Sequence, residues 1–127
     1  MSDPKNPISW VEKAEEDLEM AEIALDRPKP LTTGSTFHSQ QCAEKYMKGL
    51  LVLRGFTPPK IHDLVALYAM CLHHGFIVPV EEDELSLLTR YASWTRYPGE
   101  EPSLEQAQEA LEIAKAVRTF ARPLLAP

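Results

Sequence analysis

The sequence predicts an all-α fold, an antiparallel up-and-down bundle of four to five helices. The 11 prolines of the 127-residue chain leave five proline-free stretches, each long enough for one helix, and a proline inside a helix removes a hydrogen bond and clashes with the preceding turn. Within these stretches apolar residues recur at spacings of three and four, the period of an amphipathic helix. The only β-branched run, FIVPV at 76–80, contains a proline and is a poor strand candidate. We therefore expect short loops and no sheet.

The first helix is predicted from Ser9 to about Asp26. Ser9 and Glu12 have the spacing of a capping box, which satisfies two otherwise unpaired backbone N–H groups. The apolar residues of this helix form one stripe: Trp10, Ala14, Leu18, Ala21 and Leu25. Its glutamates fill the remaining positions and are expected to face solvent: Glu12, Glu15, Glu16, Glu19 and Glu22.

The second helix is predicted from Ser35 or Thr36 to Arg54, because Gly55 is suited to the left-handed position that follows a helix. Its apolar residues are expected on one flank: Phe37, Cys42, Tyr46, Leu50 and Leu53. The third helix is predicted from about His62 to His74, with Asp63 in its first turn and Gly75 just past its end.

The fourth helix is predicted from about Glu81 to Tyr97, because acidic residues open it, as the helix dipole favours, and Pro98 follows it. The last helix is predicted to begin after Ser103, which forms a second possible capping box with Gln106. Its apolar residues are expected to face a core: Leu104, Ala107, Leu111, Ala114, Val117 and Phe120.

Composition limits the classes of function. The chain carries 13 Lys and Arg against 19 Asp and Glu, a net charge of −6. Because non-specific nucleic-acid binding depends on many basic contacts to phosphate, any RNA contact requires a local basic patch. The length and the 44% hydrophobic content are typical of one globular domain, taken as 1–127. The N-terminal MSDPKNPISW lacks the apolar run of a secretion signal, and no stretch reads as a membrane span, so we expect a cytoplasmic protein.

The cysteines and histidines show no convincing metal or redox motif. Cys42 and Cys71 are not part of a CxxC sequence, so we expect two reduced, buried thiols. His38 lies four residues before Cys42, which suits zinc, but the cluster of Cys71, His73 and His74 lacks that spacing. The sequence also contains no glycine-rich phosphate loop and no GxSxG motif. We therefore predict no metal and no cofactor.

One segment, LLTRYASWTRYPGEEP, combines two arginines with several aromatic rings at the end of the fourth helix. Arginine offers a planar fork for phosphate, and exposed aromatic rings stack on bases. Arg90, Arg96 and Tyr97 are therefore candidates for binding a nucleotide or RNA phosphate. The alternative is structural, with Tyr91 and Trp94 in the core and the arginines paired with acidic residues or helix-end carbonyls.

Several stretches together resemble the HEPN domains of prokaryotes, small all-α proteins often encoded beside a minimal nucleotidyltransferase. They are WVEKAEEDLEMAE, FHSQQCAEKYMKGLLVLRGFTPPKIHDLVAL and the distal RYASWTRYPG, which cover nearly the whole chain. The string F-H-S-Q-Q-x-x-E-K-x-x-K is the most specific part. The resemblance implies a bundle that dimerises through its fourth-helix region, with a cleft near the two-fold axis.

The resemblance also implies candidate catalytic residues. Toxic HEPN members are metal-independent ribonucleases with an arginine and a histidine spaced R-x(4 to 6)-H, and members paired with a nucleotidyltransferase carry R-x-x-x-x-H-x-Y, whose tyrosine can be adenylylated. Here the arginine is Arg90, the tyrosine is Tyr97, and the histidine position is Thr95. Because threonine has no pKa near neutral pH and cannot act as a general acid or base there, we expect weak or no ribonuclease activity. Lys45 is a further candidate phosphate ligand.

Three functions follow as hypotheses. The first is a toxin-antitoxin-like pair in which this protein presents Tyr97 or a bound nucleotide to a nucleotidyltransferase. The second is a HEPN ribonuclease in which Arg90 acts with a histidine from another helix, His38 or His62. The third is a non-catalytic dimeric bundle that binds a nucleotide or another protein.

A homodimer is also expected from the apolar residues. The segments around the third and fourth helices carry more large apolar groups than one side of a small bundle needs to bury. These residues are Phe76, Ile77, Val78, Tyr91 and Trp94.

Overall fold

The computed structural model describes residues 3–94 and 97–127, apart from the side chain of Trp94. Within these residues the chain forms five helices and no strand, so the predicted all-α bundle is confirmed. The helices are α1 (Pro7–Leu25), α2 (Thr32–Leu53), α3 (Leu64–His73), α4 (Glu82–Trp94) and α5 (Leu104–Leu125). In the same part of the chain, no helix is long and apolar enough to cross a membrane.

The second helix, α2, is the centre of the bundle. It contacts all four other helices, most extensively α1 and α5. From Cys42 to Val52 every residue except Lys45 is buried, whereas the predicted flank residues Phe37 and Leu53 at its two ends are exposed. A helix surrounded in this way buries polar positions as well as apolar ones, and α2 buries two charged side chains, Glu44 and Lys48.

Close approach of α1 to α2 depends on Gly49. A Cβ atom at this position would lie 3.1 Å from the Cβ of Trp10 on α1 and 3.0 Å from Cδ1 of Leu125 on α5. Since both distances are shorter than ordinary van der Waals contact, a larger residue at this position would push α1 and α5 away from α2.

The predicted cap of α1 is wrong. The helix begins two residues earlier than expected, because Asn6 is the capping residue and its Oδ1 accepts the backbone N–H of Ile8 at 3.0 Å. Ser9 lies inside the first turn, where its Oγ accepts the N–H of Asp3 at 3.0 Å. The proline after Asn6 occupies the first helical position, where a missing N–H costs nothing.

The start of α2 also differs from the prediction. The helix begins at Thr32 with Leu31 as its capping residue, so neither Ser35 nor Thr36 caps it. Ser35 is buried instead, and its hydroxyl donates a hydrogen bond to the carbonyl of Ala21 on α1 at 2.8 Å. Ser35 therefore makes a contact between α1 and α2 and does not cap α2.

Other helix ends match the prediction more closely. Gly55 and Gly75 follow α2 and α3 with φ of +85° and +90°, a conformation that favours glycine. Ser103 and Gln106 form the expected capping box, with both hydrogen bonds present. The start of α3 was predicted about two residues too early: the helix begins at Leu64, and Asp63, expected inside the first turn, is its capping residue, because Oδ1 of Asp63 accepts the N–H of Val65.

The ends of α4 and α5 show where proline spacing misleads. The fourth helix ends at Trp94, so Tyr97 lies beyond it. The fifth helix continues through Pro123 to Leu125. Leu125 is buried beside Gly49, and this apolar contact holds the last turn of α5 in place despite the proline.

Two of the five apolar residues that predicted a dimer are buried within one chain. Phe76 and Val78 are only 4% and 1% exposed, so they belong to the core of one chain. Ile77, between them, is 69% exposed, and Tyr91 is half-buried. The side chain of Trp94 lies outside the described part of the structure.

The two cysteines are free and buried, as predicted. Burial raises the pKa of the Cys42 thiol strongly and raises that of the Cys71 thiol to about 12. Both thiols therefore stay protonated at neutral pH and are poor nucleophiles.

Glu15, which was predicted to lie on the solvated face of α1, instead contacts residues of two other helices. The two carboxylate oxygens of Glu15 accept hydrogen bonds from Arg118 at 2.7 and 2.8 Å and from the hydroxyl of Tyr46 at 2.7 Å, and one of them forms an ion pair with Arg122 at 2.8 Å. Glu15 thereby connects α1 to α2 and α5. The hydrogen bonds from the Arg118 guanidinium, followed by that from Tyr46, hold the pKa of Glu15 below its usual value of 4.5.

We expect Glu15→Gln to lower the free energy of unfolding at pH 7 by about 1 kcal/mol, because charge-assisted hydrogen bonds are lost at a partly exposed site. The folded-state pKa of Glu15 is lowered, so its contribution is complete above pH 4.5 and is lost as the pH falls below that value. Urea denaturation of both proteins from pH 7 to pH 3 measures this difference. Glu19→Gln, at an exposed position of α1, is the control and should differ little from wild type at any pH.

Candidate functional site

Arg90 and Tyr97 lie near the C-terminal end of α4. Arg90 is exposed on the last turns of the helix, and Tyr97 lies three residues beyond it with 60% of its surface exposed. The carbonyl of Tyr97 accepts the N–H of Glu100 in a turn that contains Gly99 at φ +88°. Thr95 and Arg96 lie outside the described residues. Both described members of the predicted motif are therefore accessible to a ligand.

A groove of about 320 Å³ runs beside this part of α4. It lies between α2, the segment before α3, and α4. Its lining residues are Phe37, Gln40, Gln41, His62, Thr89, Ala92 and Ser93. Arg90 directly follows Thr89 and lies three positions before Ser93, and both of these residues line the groove. Arg90 therefore lies at the edge of the face of α4 that borders the groove.

Hydrogen bonds hold the α3 and α4 sides of the groove together. The hydroxyl of Thr89 accepts the backbone N–H of Leu64, the first residue of α3, at 3.1 Å, and donates to the carbonyl of Leu85 at 2.9 Å. Ser93 donates to the carbonyl of Thr89 at 3.2 Å. The side chain of Thr89 therefore links α4 to the start of α3 and adds to the packing between these two helices.

A buried carboxylate lies beneath the groove. Glu44 on α2 is only 3% exposed, and a buried charge requires hydrogen-bonding partners. One of its oxygens interacts with Nε2 of Gln40 at 3.0 Å and with Nδ1 of His62 at 2.9 Å, and the other accepts from Nζ of Lys48 at 3.0 Å. Nε2 of Gln40 also donates to the backbone carbonyl of His62 at 3.1 Å.

The contact with Glu44 orients the imidazole of His62. Its Nδ1 faces the buried carboxylate, while the side chain is 75% exposed. A carboxylate at Nδ1 favours the tautomer that leaves Nε2 as a proton acceptor. His62 is therefore a candidate general base for a group bound in the groove.

Lys45 and His38 lie elsewhere. Both interact with Asp17 on α1, a carboxylate that is 6% exposed: the ammonium of Lys45 through one oxygen and Nδ1 of His38 through the other, at 2.8 Å. Among the described residues α1 has no contact with α4. The structure thus does not bring Lys45 together with Arg90.

Sequence reasoning missed the network around Glu44. Gln40, Glu44 and Lys48 are spaced by four residues and so share one face of α2. All three lie within the string F-H-S-Q-Q-x-x-E-K-x-x-K. Polar residues spaced by four in a helix that is buried on most sides are a signal for such a network. The predicted helix faces were based on apolar residues alone, so they did not include this signal.

The histidines and cysteines singled out for zinc do not converge. Within residues 3–94 and 97–127 no group of three or more His, Cys, Asp or Glu side chains could hold a metal ion. The rings of His73 and His74 contact each other, and that of His74 also packs on Phe56.

We expect Glu44→Ala to lower the free energy of unfolding by about 3 kcal/mol, because it leaves the buried ammonium of Lys48 without its carboxylate. If the stranded charge is the cause, the double variant Glu44→Ala, Lys48→Met should recover part of this loss. Urea denaturation of the two variants and wild type measures the difference. A double variant less stable than Glu44→Ala alone would contradict this explanation.

Comparison with known proteins places this fold among characterised structures. TT1696 from Thermus thermophilus is 28% identical, with a TM-score of 0.71 over 92% of this chain and 96% of that chain. ST0689, described as an archaeal HEPN homologue, is 24% identical, with a TM-score of 0.68 over 94% and 98% of the two chains. The second likeness, at that identity, shows the fold alone.

A shorter similarity links the chain to a protein of Methanocaldococcus jannaschii named "Putative toxin MJ1304". The two are 44% identical over 46 residues, which are 36% of this chain and 29% of that protein. The family model described as "HEPN domain" matches residues 9–124. Since this match covers nearly the whole chain, the protein belongs to the HEPN domain family.

Proposed function

We propose that this HEPN protein is the toxin-like component of a toxin-antitoxin-like pair whose partner is a minimal nucleotidyltransferase. The observation that carries the proposal is the exposure of Arg90 on the last turns of α4, at the edge of the groove, and of Tyr97 just beyond that helix. The similarity to a protein named as a toxin supports it. In this proposal Arg90 binds a nucleotide or RNA phosphate, and Tyr97 is the residue that the partner modifies.

The chemistry of modification suits an exposed phenol. The hydroxyl oxygen of Tyr97 would attack the α-phosphorus of ATP, pyrophosphate would leave, and the phenolic proton would pass to solvent or to a base of the partner. The attached AMP adds a phosphate charge close to Arg90. Because that phosphate competes for the Arg90 guanidinium, modification would weaken binding of RNA.

Assembly as a homodimer through the α4 region is part of the proposal. Two copies of Arg90 would then face one cleft, and two guanidinium groups bind a phosphodiester more firmly than one. Arg96 remains a proposed phosphate ligand. Lys45 could act only after releasing the Asp17 carboxylate that now holds its ammonium.

We expect wild-type protein to acquire label when mixed with a nucleotidyltransferase encoded beside it and ATP labelled in the α-phosphate. Tyr97→Phe should acquire none, because the accepting oxygen is missing. Tyr91→Phe is the matched control, since this half-buried tyrosine of α4 should leave labelling unchanged. Label that persists in Tyr97→Phe, or the absence of label and of any complex with wild type, would refute the proposal.

A second candidate function is metal-independent cleavage of RNA by Arg90 and His62. The specific observation in its favour is that His62 lines the groove beside α4, whereas His38 is held against α1. Nε2 of His62 would accept the proton of a 2′-hydroxyl as its oxygen attacks phosphorus. The P–O5′ bond would break, and the 5′-oxygen would take a proton from water, leaving a 2′,3′-cyclic phosphate.

We expect any cleavage by wild type to fall by roughly 100-fold or more in His62→Asn, because general base catalysis contributes about that much. Asparagine keeps a donor near the Glu44 carboxylate while removing Nε2. Arg90→Ala should lower the rate as well, and His38→Gln should not. Equal rates in wild type and His62→Asn, measured on a short labelled RNA, would exclude His62 from the reaction.

A further inference from the structure

A separate cleft of about 660 Å³ lies on another part of the molecule. It is enclosed by the N-terminal segment, α1, α2 and the loop after α2, and its lining contains no residue of α4. A cleft of this volume is within the range of small-molecule sites. Among the described residues, none of the predicted site residues Arg90, Tyr97 and Lys45 belongs to its lining.

Both sides of this cleft are held in place by hydrogen bonds. On the N-terminal side, the indole N–H of Trp10 donates to the carbonyl of Pro4 at 2.8 Å. On the other side, the backbone N–H of Phe56 donates to the carbonyl of Leu51 at 3.1 Å, and the Phe56 ring packs on the ring of His74 at 4.0 Å. The aromatic groups that face a ligand are therefore positioned in advance, which lowers the entropic cost of binding.

The charge of the lining differs from that of the chain. Three lysines and no acidic residue line the cleft, although the chain has 19 acidic residues against 13 basic ones. Lys48 is buried and paired with Glu44. Lys5 and Lys60 are exposed, and their ammonium groups make no hydrogen bond or ion pair with other residues of the described structure. They are free to bind an anion at the mouth of the cleft.

The remaining lining is mostly apolar. Trp10 is half-buried, the Phe56 ring is 49% exposed, and three prolines, a valine, a glycine and one polar residue, Thr57, complete this surface. Aromatic faces of this kind stack on planar rings. The combination of mostly apolar walls with two unpaired ammonium groups matches a ligand that has both a planar ring and a phosphate.

We propose that this cleft is a second binding site, distinct from the Arg90 groove, and that it takes a nucleoside phosphate. The base packs against Trp10 and Phe56, and Lys5 and Lys60 bind the phosphate from opposite sides of the cleft. Inorganic phosphate would leave the aromatic walls unused, and a nucleoside without phosphate would leave both ammonium groups unused. Each fragment should therefore bind more weakly than the whole.

Titration of the full chain with ADP tests the proposal. In Trp94→Phe, Trp10 is the only tryptophan, and we expect ADP to quench its fluorescence with saturation. Calorimetry on wild type checks that saturable ADP binding does not depend on that substitution. Adenosine and inorganic phosphate alone should each bind on the order of tenfold or more weakly, since charge-assisted hydrogen bonds or stacking are lost. Higher salt should weaken ADP binding because the lysines are exposed.

Matched variants locate the site. Lys5→Ala with Lys60→Ala should reduce ADP affinity on the order of tenfold or more, and both positions are exposed, so the variant should fold normally. Lys115→Ala on α5 is the lysine control and should leave quenching of Trp10 unchanged, because Lys115 does not line the cleft. No saturable quenching at millimolar ADP would overturn the proposal, as would quenching that is the same with and without Lys5 and Lys60. Labelling of Tyr97 plays no part in this assay, so the two proposals fail independently.

Discussion

The arrangement of this molecule depends on placing one carboxylate, Glu44, inside a helical bundle. A buried carboxylate is tolerated only when donors replace its water. Here the donors come from α2 itself, through Gln40 and Lys48, and from His62 before α3. Satisfying Glu44 therefore fixes the chain entering α3, and with it the side of the groove opposite α4. The orientation of a possible acid–base group follows from a requirement of folding.

The same principle explains why the acidic charge of the chain is a poor guide to its surface. Glu15 on α1 is bound by Tyr46 and two arginines of α5, and Asp17 by Lys45 and His38. Several carboxylates thus serve contacts between helices, and their basic partners are unavailable to ligands. What remains for an anion is the exposed basic side chains that are not paired with these carboxylates, so the phosphate binding that we propose is confined to defined points and does not require coating of nucleic acid.

The fold could be predicted from the sequence because proline spacing and apolar periodicity report directly on helices. The N-termini of α1 and α2 could not, since Ser9 and Ser35 have the chemistry of caps but make contacts that only the packed bundle shows. For the site, the position of Arg90 in the last turns of α4 was predictable, whereas Tyr97 was expected inside that helix and lies beyond it. The pairing of Lys45 with Asp17 was not, because the partner is 28 residues away in the chain.

Lys48 connects the cleft beside Trp10 with the groove beside α4. Its side chain lines the cleft beside Trp10, and its ammonium binds the Glu44 carboxylate that orients His62 in the groove. Removing Lys48 would change the cleft directly and would also strand Glu44, disturbing the groove and the stability of α2 together. A loss of function in that variant could not be assigned to either site. The ammonium groups of Lys5 and Lys60 are exposed and have no partner among the described residues, so substitution of these two lysines changes the cleft without stranding a buried carboxylate.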